Sequence, residues 1–194
     1  MPRPANPEAR NRILDAAFDL FHKKGYKSVS MDEIASIAGV KKSNLFYYYP
    51  SKETLGVAVI DQRIKPNVGM DDCWKDEGLD PLTEVAKIFK GAEKRNGDQG
   101  CPLGSLAQEI SASSEVMRLG VSDCLKKLRM DLERMFKEAK GRGYFNEDLD
   151  TKDAARAIIT LLEGASIVSK AHKNTEYYGT ARRVAVGYLS GFKV

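Results

Sequence analysis

Apolar residues recur along most of the chain at spacings of three and four, and no long segment alternates with a period of two. This pattern is typical of α-helices and predicts an all-α fold of about nine helices. The first helix is expected to begin after Asn6 and to end at Gly25, with an apolar stripe from Ile13 to Phe21. Asn before a first-turn proline is a common helix start, and glycine is a common helix end.

Capping residues, prolines and glycines delimit the other helices in the same way. Helices are predicted over residues 31–38, 42–49, 52–64, 81–95, 102–110, 115–140, 151–172 and 177–192. Ser113 or Ser114 is the expected cap of the long helix over 115–140. The Gly- and Asp-rich stretch over 66–80, which contains Asp71, Asp72 and Cys73, predicts a loop.

Residues 30–50, SMDEIASIAGVKKSNLFYYYP, meet the local requirements of a helix-turn-helix. Ala35 is small where two helices would cross, and Gly39 can adopt the positive φ of a tight turn. The second helix begins with polar side chains that can reach phosphates or base edges. An ordinary helical hairpin with a basic end would give the same pattern, so the spacing alone leaves both interpretations open.

The distribution of charge favours the nucleic-acid interpretation. The chain has 194 residues and a net charge of +4, and this whole excess lies within residues 1–65. Such an asymmetry is expected of a DNA-binding head on a neutral body, although a solvated lysine-rich helix face would also produce it.

Several protein classes are excluded by the composition. No apolar run approaches the ~20 residues of a membrane span, and MPRPANPEAR lacks the apolar segment of a signal peptide. Three cysteines without a C-x-x-C pair, Cys73, Cys101 and Cys124, fit a reducing cytoplasm. Two distant histidines and the lack of a phosphate-binding loop give no support for catalysis. We therefore expect no enzyme, no cofactor and no metal site.

Residues 13–60 resemble the DNA-binding domain of the tetracycline-repressor (TetR) family of bacterial transcription regulators. The resemblance is carried by ILDAAFDLFHKKGY, by the S-M-D-E-I-A-x-x-A-G-V run and by NLFYYYPSKETL. It implies a three-helix helix-turn-helix domain over residues 7–67, with the motif at 30–49. It also implies a helical ligand-binding and dimerisation domain over residues 68–194.

The resemblance further assigns DNA contacts to the second motif helix and its flanks. The residues so implied are Ser30, Lys41, Lys42, Ser43, Asn44, Tyr47, Tyr48 and Lys52. Phe46 replaces a tyrosine whose hydroxyl often reaches a phosphate in the family, so that contact should be absent. In the alternative interpretation of the tyrosine run, Tyr48 and Tyr49 belong to the core and only Tyr47 faces DNA.

The helix over 151–172 is apolar on more than one side, which predicts burial on two sides. In family members the last two helices pair with their two-fold mates, and a homodimer is expected here, although a helix central to a monomeric bundle would look similar. The expected dimer residues are Leu161, Ala165, Val168, Ala185, Tyr188, Leu189 and Phe192.

The resulting functional hypothesis is a cytoplasmic homodimeric repressor, nucleoid-associated when DNA-bound, that binds a palindromic operator and is released by a small-molecule effector, with no membrane partner. A second hypothesis is a redox- or electrophile-responsive regulator, in which a helix N-terminus and Lys170 would lower the pKa of the Cys101 thiol. In the alternative interpretation, Cys101 is an unreactive small apolar residue that fills a tight helix start. A helical protein-interaction module and a helical-bundle enzyme are the two remaining hypotheses.

Overall fold

The computed structural model describes residues 6–69, 78 and 80–194. Within these residues the chain forms nine α-helices and no β-strand, which confirms the all-α prediction. The helices are α1 (Pro7–Lys24), α2 (Met31–Ile37), α3 (Lys42–Tyr48), α4 (Lys52–Val59), α5 (Pro81–Asn96), α6 (Pro102–Ile110), α7 (Glu115–Gly141), α8 (Thr151–His172) and α9 (Glu176–Ser190).

The predicted start signals act as expected at several helices. The side chain of Asn6 accepts hydrogen bonds from the backbone N–H groups of Glu8 and Ala9 at the start of α1. Asp150 caps α8 in the same way, and Ser114 Oγ accepts from the Met117 N–H at the start of α7. The predicted helix over 52–64 is α-helical only to Val59 and continues as a π-helical turn over Ile60–Ile64.

The structure divides into two compact units. One consists of residues 1–67 and 105–123, and the other of residues 68–104 and 124–194. The predicted domain limit between residues 67 and 68 stays a prediction, since the first compact unit also includes residues 105–123. The physical reason is a set of polar and apolar contacts that the end of α6 and the start of α7 make with the first unit, described below.

The first unit has a core formed by the apolar faces of α1 to α4. Fully buried side chains include Ile13, Leu14, Ile34, Leu45 and Leu55. Met117 of α7 packs so closely on Gly56 that a Cβ there would lie 2.5 Å from the methionine methyl. The small residue on α4 therefore lets α7 contribute to this core.

The second unit has its own core, in which α5, the later part of α7, α8 and α9 meet. Its largest fully buried side chains are Phe89, Phe136, Phe145 and Tyr178. Within the part of the chain that the structure describes, no helix is both long and apolar enough to cross a membrane. Residues 70–77 and 79 of the predicted loop, with Asp71, Asp72 and Cys73, lie outside the described residues.

Candidate functional site

The turn between α2 and α3 is held by backbone and side-chain hydrogen bonds. Gly39 has φ +62°, and a Cβ added there would meet nothing within 4 Å, so its backbone conformation and not space requires glycine. The Val40 N–H donates to the Ala35 carbonyl at 3.0 Å. From α1, Arg12 Nε donates to the Ala38 carbonyl at 3.1 Å. These bonds fix the direction in which α3 leaves the turn.

The outer face of α3 presents a mixed basic, polar and aromatic surface, which we call the α3 face. Its exposed residues are Lys41, Lys42, Ser43, Phe46 and Tyr47, with Asn44 half-buried beside them. Tyr47 is 61% exposed, which is unusual for a large aromatic side chain. Cations, hydroxyls and aromatic rings on one exposed helix face are suited to phosphates and base edges.

Lys42 has an acidic neighbour within this unit. Its Nζ lies 2.7 Å from Asp32 Oδ1 in α2 and 5.9 Å from the centroid of the Phe46 ring. Both members of the ion pair are more than half exposed, so the attraction is screened by water and is worth at most about 1 kcal/mol. A phosphate can therefore replace the aspartate at low cost.

The three tyrosines of the run differ in burial, and only Tyr49 belongs to the core. Tyr49 is 4% exposed, and its hydroxyl accepts from Arg10 Nε at 3.2 Å. Tyr48 is half-buried, and its hydroxyl accepts from the Asn6 N–H at 2.8 Å, at the start of α1. The hydroxyl of Tyr48 is thus used within the protein, and Tyr47 is the exposed tyrosine of the run.

Ser30 and Lys52 also have internal roles. Ser30 Oγ accepts from the Glu33 N–H at 3.1 Å as the cap of α2. Lys52 Nζ donates to the Lys27 carbonyl at 3.1 Å and lies 4.6 Å from the Tyr26 ring centroid. Burial lowers the pKa of Lys52, and the nearby Glu109 carboxylate partly opposes this.

The turn between α1 and α2 is bound by Glu109, at the far end of α6, a role that the sequence pattern did not reveal. Its two carboxylate oxygens accept from the backbone N–H groups of Tyr26 at 3.1 Å and Lys27 at 2.7 Å. At Gly25, φ is +86°, and a Cβ would lie 2.7 Å from Glu109 Oε1. Glycine therefore meets both a conformational and a steric requirement here. Nearby, Ser114 Oγ donates to the Glu53 carboxylate of α4.

Cys101 stands where the sequence places it, at the start of α6, but the predicted lowering of its thiol pKa is wrong. The backbone N–H groups of Leu103 and Gly104 do lower the pKa, as a helix N-terminus should. Burial and the Glu163 carboxylate act more strongly in the opposite direction and raise the pKa to about 12. Lys170 does come near, since its Cδ would lie 3.2 Å from a Cβ on Gly100. Lys170 does not offset the rise in the Cys101 pKa that burial and Glu163 cause.

Glu163 of α8 is a second functional candidate that sequence reasoning missed, because it stood out there only as an interruption of an apolar stretch. Its carboxyl hydrogen-bonds with the Cys101 thiol, and burial raises its pKa. A Cβ on Gly104 would overlap Glu163 Oε2, so the first turn of α6 leaves room for this carboxyl group. Deeper in the same unit, the hydroxyls of Ser166 and Tyr178 are 2.6 Å apart.

The predicted dimer residues divide into two groups. Ala165, Ala185 and Leu189 are buried in the core of their own protomer, so their assignment to a partner surface is corrected. The reason is that α8 and α9 pack on each other, and α9 also packs on α5, so these residues lie in the core of the second unit. Leu161, Val168 and Phe192 are half-buried, and Tyr188 is exposed. Exposed apolar side chains on the two helices are Ile167, Val184 and Tyr188, with exposed glycines at 164 and 187.

Comparison with known proteins assigns a family to both parts of the chain. Residues 13–59 match the family model described as bacterial regulatory proteins, tetR family. Residues 78–185, more than half of the chain, match the model described as tetracyclin repressor-like, C-terminal domain. The first match covers α2, α3 and the turn between them.

Individual relatives agree with these matches. The transcriptional regulator AcuR of Cereibacter sphaeroides is 29% identical over 167 residues, covering 84% of this chain and 76% of AcuR. The HTH-type transcriptional regulator RutR of Escherichia coli K12 is 47% identical over 109 residues, covering 56% of this chain and 41% of RutR. The crystal structure of a regulatory protein TetR from Rhodobacter sphaeroides gives a TM-score of 0.78 at 26% identity, covering 92% of this chain and 97% of that one. The chain belongs to the TetR family of transcriptional regulators, which are DNA-binding proteins and not enzymes.

Proposed function

We propose that the protein is a homodimeric transcriptional repressor that binds a palindromic operator through the α3 face and is released by a small-molecule effector. The observation that carries the proposal is the exposure of Lys41, Lys42, Ser43 and Tyr47 together on α3. Tyr48 and Lys52, whose polar atoms bind other parts of the same unit, are assigned the lesser role of holding α3 and the turn before it in place.

The mechanism follows from linkage between two dimer states. An operator with half-sites one helical turn apart, about 34 Å, binds the state whose recognition helices have that spacing. An effector that binds a second state better draws the equilibrium toward it, and operator affinity falls by the same factor.

Gel shifts on an operator selected from genomic fragments test the DNA contacts. Lys42→Ala is expected to weaken binding by about 10- to 100-fold if Lys42 contacts a base, and to relax specificity at one position per half-site. Lys90→Ala, on α5, is the control and should bind as wild type does. Unchanged affinity in a Lys42→Ala, Tyr47→Ala double variant would contradict the assignment.

We propose that the partner surface consists of the exposed apolar residues Ile167, Val184 and Tyr188, with the half-buried Leu161, Val168 and Phe192 at its edge. Each of the two helices also carries one exposed glycine, Gly164 or Gly187, which permits close helix approach. Membership of a family whose regulators act as dimers supports this choice.

Sedimentation distinguishes this surface from the protomer core. Ile167→Glu with Val184→Glu should give a monomer that keeps its helix content and loses operator binding. Leu189→Glu should instead unfold the second unit, because a buried unpaired carboxylate costs several kcal/mol. A wild-type protein that is monomeric at micromolar concentration would overturn the dimer.

A further inference from the structure

The residues Cys101, Gly104, Glu163, Ser166 and Tyr178 of the second unit are called the Glu163 cluster. Their polar side chains have no role in the DNA contacts proposed above. Three elements build the cluster: the start of α6, the middle of α8 and the start of α9. The Cys101 thiol is one partner of the Glu163 carboxyl group. Gly104 lies against Glu163 Oε2, which a Cβ at this position would overlap.

One oxygen of this carboxyl group has no partner. Oε2 of Glu163 is buried and, among the described residues, receives no hydrogen bond. Ser169 Oγ, one turn beyond Ser166 on α8, also has no hydrogen-bond partner among the described residues, and Ser169 is fully buried. Buried polar atoms in folded proteins nearly always have partners, so Glu163 Oε2 is a position at which a donor from a bound group would fit.

The charges around Glu163 indicate the chemistry of that group. The titratable residues that face it are Cys101 from α6 and Tyr178 from α9, and both are held neutral by burial and by the Glu163 charge itself. Lys170 lies two turns along α8, where its stem rests on Gly100. Among the ion pairs of the described residues, none includes Glu163. A cation with an N–H donor would supply both the missing charge and the missing hydrogen bond.

We propose that Glu163 anchors the effector, and that this effector is a small organic cation whose ammonium group donates a hydrogen bond to Oε2. The proposal rests on the effector-release function above and adds its site and ligand class. The position suits such a role, since α6 begins beside Glu163 in the second unit and ends with Glu109 on the α1–α2 turn of the first. A ligand that displaces the first turn of α6 acts on the helix that carries this contact.

Calorimetry with butylammonium and hexylammonium chlorides, and with butanol and hexanol as matched neutral probes, tests the ligand class. The ammonium probes should bind wild type in sodium phosphate at pH 7.5, and the alcohols at least tenfold more weakly. Binding should strengthen as pH rises through the raised pKa of Glu163, because the ionised carboxylate is the species that accepts the cation. No ammonium binding, or equal binding of alcohols, overturns the proposal.

Two variants locate the site. Glu163→Gln should weaken ammonium binding at least tenfold and remove its pH dependence, and Gly104→Ala should weaken it while leaving the charge in place. Glu133→Gln, which removes a carboxylate paired with Arg129 and Lys137, is the matched control and should bind as wild type does. Unchanged binding in both site variants refutes the assignment.

Operator gel shifts on the same proteins keep the two proposals separate. The ammonium probes should release operator from wild type and not from Glu163→Gln. A protein that binds the probes at Glu163 but binds no palindromic DNA would refute the repressor function and leave the cation site. A protein that binds operator but no ammonium probe would refute the cation site and leave the repressor function.

Discussion

The α1–α2 turn and the Glu163 cluster treat their carboxylates in opposite ways. At the turn, both oxygens of Glu109 accept backbone N–H groups, and Lys52 donates to the carbonyl of Lys27. In the cluster, one oxygen of Glu163 is buried without a partner among the described residues. One carboxylate completes a hydrogen-bonding network, and the other leaves one incomplete.

The difference shows how stability can be distributed within one chain. A fully bonded turn holds α1 against the helices that present the α3 face, which favours a single arrangement of that face. An incomplete network lowers the stability of the free protein and leaves binding free energy available to whatever completes it. The hydrogen bonds of the first region favour one fixed geometry, whereas the second region has the unpartnered atom on which the proposed effector site depends.

Removal of the Glu109 carboxylate should cause the largest change in the free energy of unfolding. Glu109→Ala leaves the N–H groups of Tyr26 and Lys27 without their acceptor, and a buried unsatisfied donor costs about 1–3 kcal/mol. Since Lys27 is exposed and can bond to water, we expect the lower half of that range in chemical denaturation.

Glu109→Gln is the matched variant, because it keeps one carbonyl oxygen as an acceptor. It should lose less stability than Glu109→Ala, and amide hydrogen exchange should increase at Tyr26 and Lys27 before it increases elsewhere. Equal stability of wild type and Glu109→Ala would show that water replaces this carboxylate fully.

Removal of the Glu163 carboxylate is expected to increase the stability of the protein, whereas removal of the Glu109 carboxylate decreases it. The raised pKa of Glu163 means that folding favours the neutral acid, so wild type loses stability as pH rises from about 4.5 through that pKa. Glu163→Gln removes this loss and should have a higher Tm than wild type at pH 8, by a difference that grows as pH rises through the raised pKa. Well below the ordinary pKa of 4.5, where the acid is protonated in both the folded and the unfolded state, the two proteins should have equal Tm.

Thermal scans across this pH range on Glu163→Gln and on the Glu133→Gln control make the comparison. Glu133 has a lowered pKa because Lys137 and Arg129 bind it, so its removal cannot give a gain that grows with pH. A Tm difference for Glu163→Gln that is constant with pH would contradict the account of a buried carboxylate.

The smallest expected change is in the rate at which the Cys101 thiol is alkylated. With a thiol pKa of about 12, alkylation by iodoacetamide at pH 8 should be much slower than that of a free cysteine, as mapped by mass spectrometry of the labelled peptides. Glu163→Gln removes one cause of the shift and should speed alkylation, while burial keeps the pKa above the ordinary value. Alkylation of wild type as fast as a free thiol would restore the hypothesis of a cysteine sensor.

Local signals explain why the first unit was predictable. Asn6, Ser30 and Gly39 act within a few residues of themselves, as caps or as a turn, so the sequence specifies them directly. The α3 face was predictable for the same reason, since a seven-residue helix between two signals has only one exposed side.

Long-range contacts explain what the sequence did not show. Glu109 and Lys27 are separated by 82 positions, and no local pattern joins them. Glu163 looks like any polar interruption of an apolar helix until α6 is placed over it. Likewise, periodicity shows that α8 and α9 are apolar on two sides, but not that Leu189 faces inward while Val184 faces outward.

The ion pair of Lys42 with Asp32 has a consequence for the time the protein spends on DNA. In the DNA contact proposed for Lys42, a phosphate must first displace the aspartate, and this small penalty would apply at every position along a genome. Equal penalties leave the ratio of specific to non-specific affinity unchanged, but they shorten each stay on the wrong sequence. Under this proposal Asp32 competes with the phosphate for Lys42, and the shorter stays on other sequences would shorten the search for the operator.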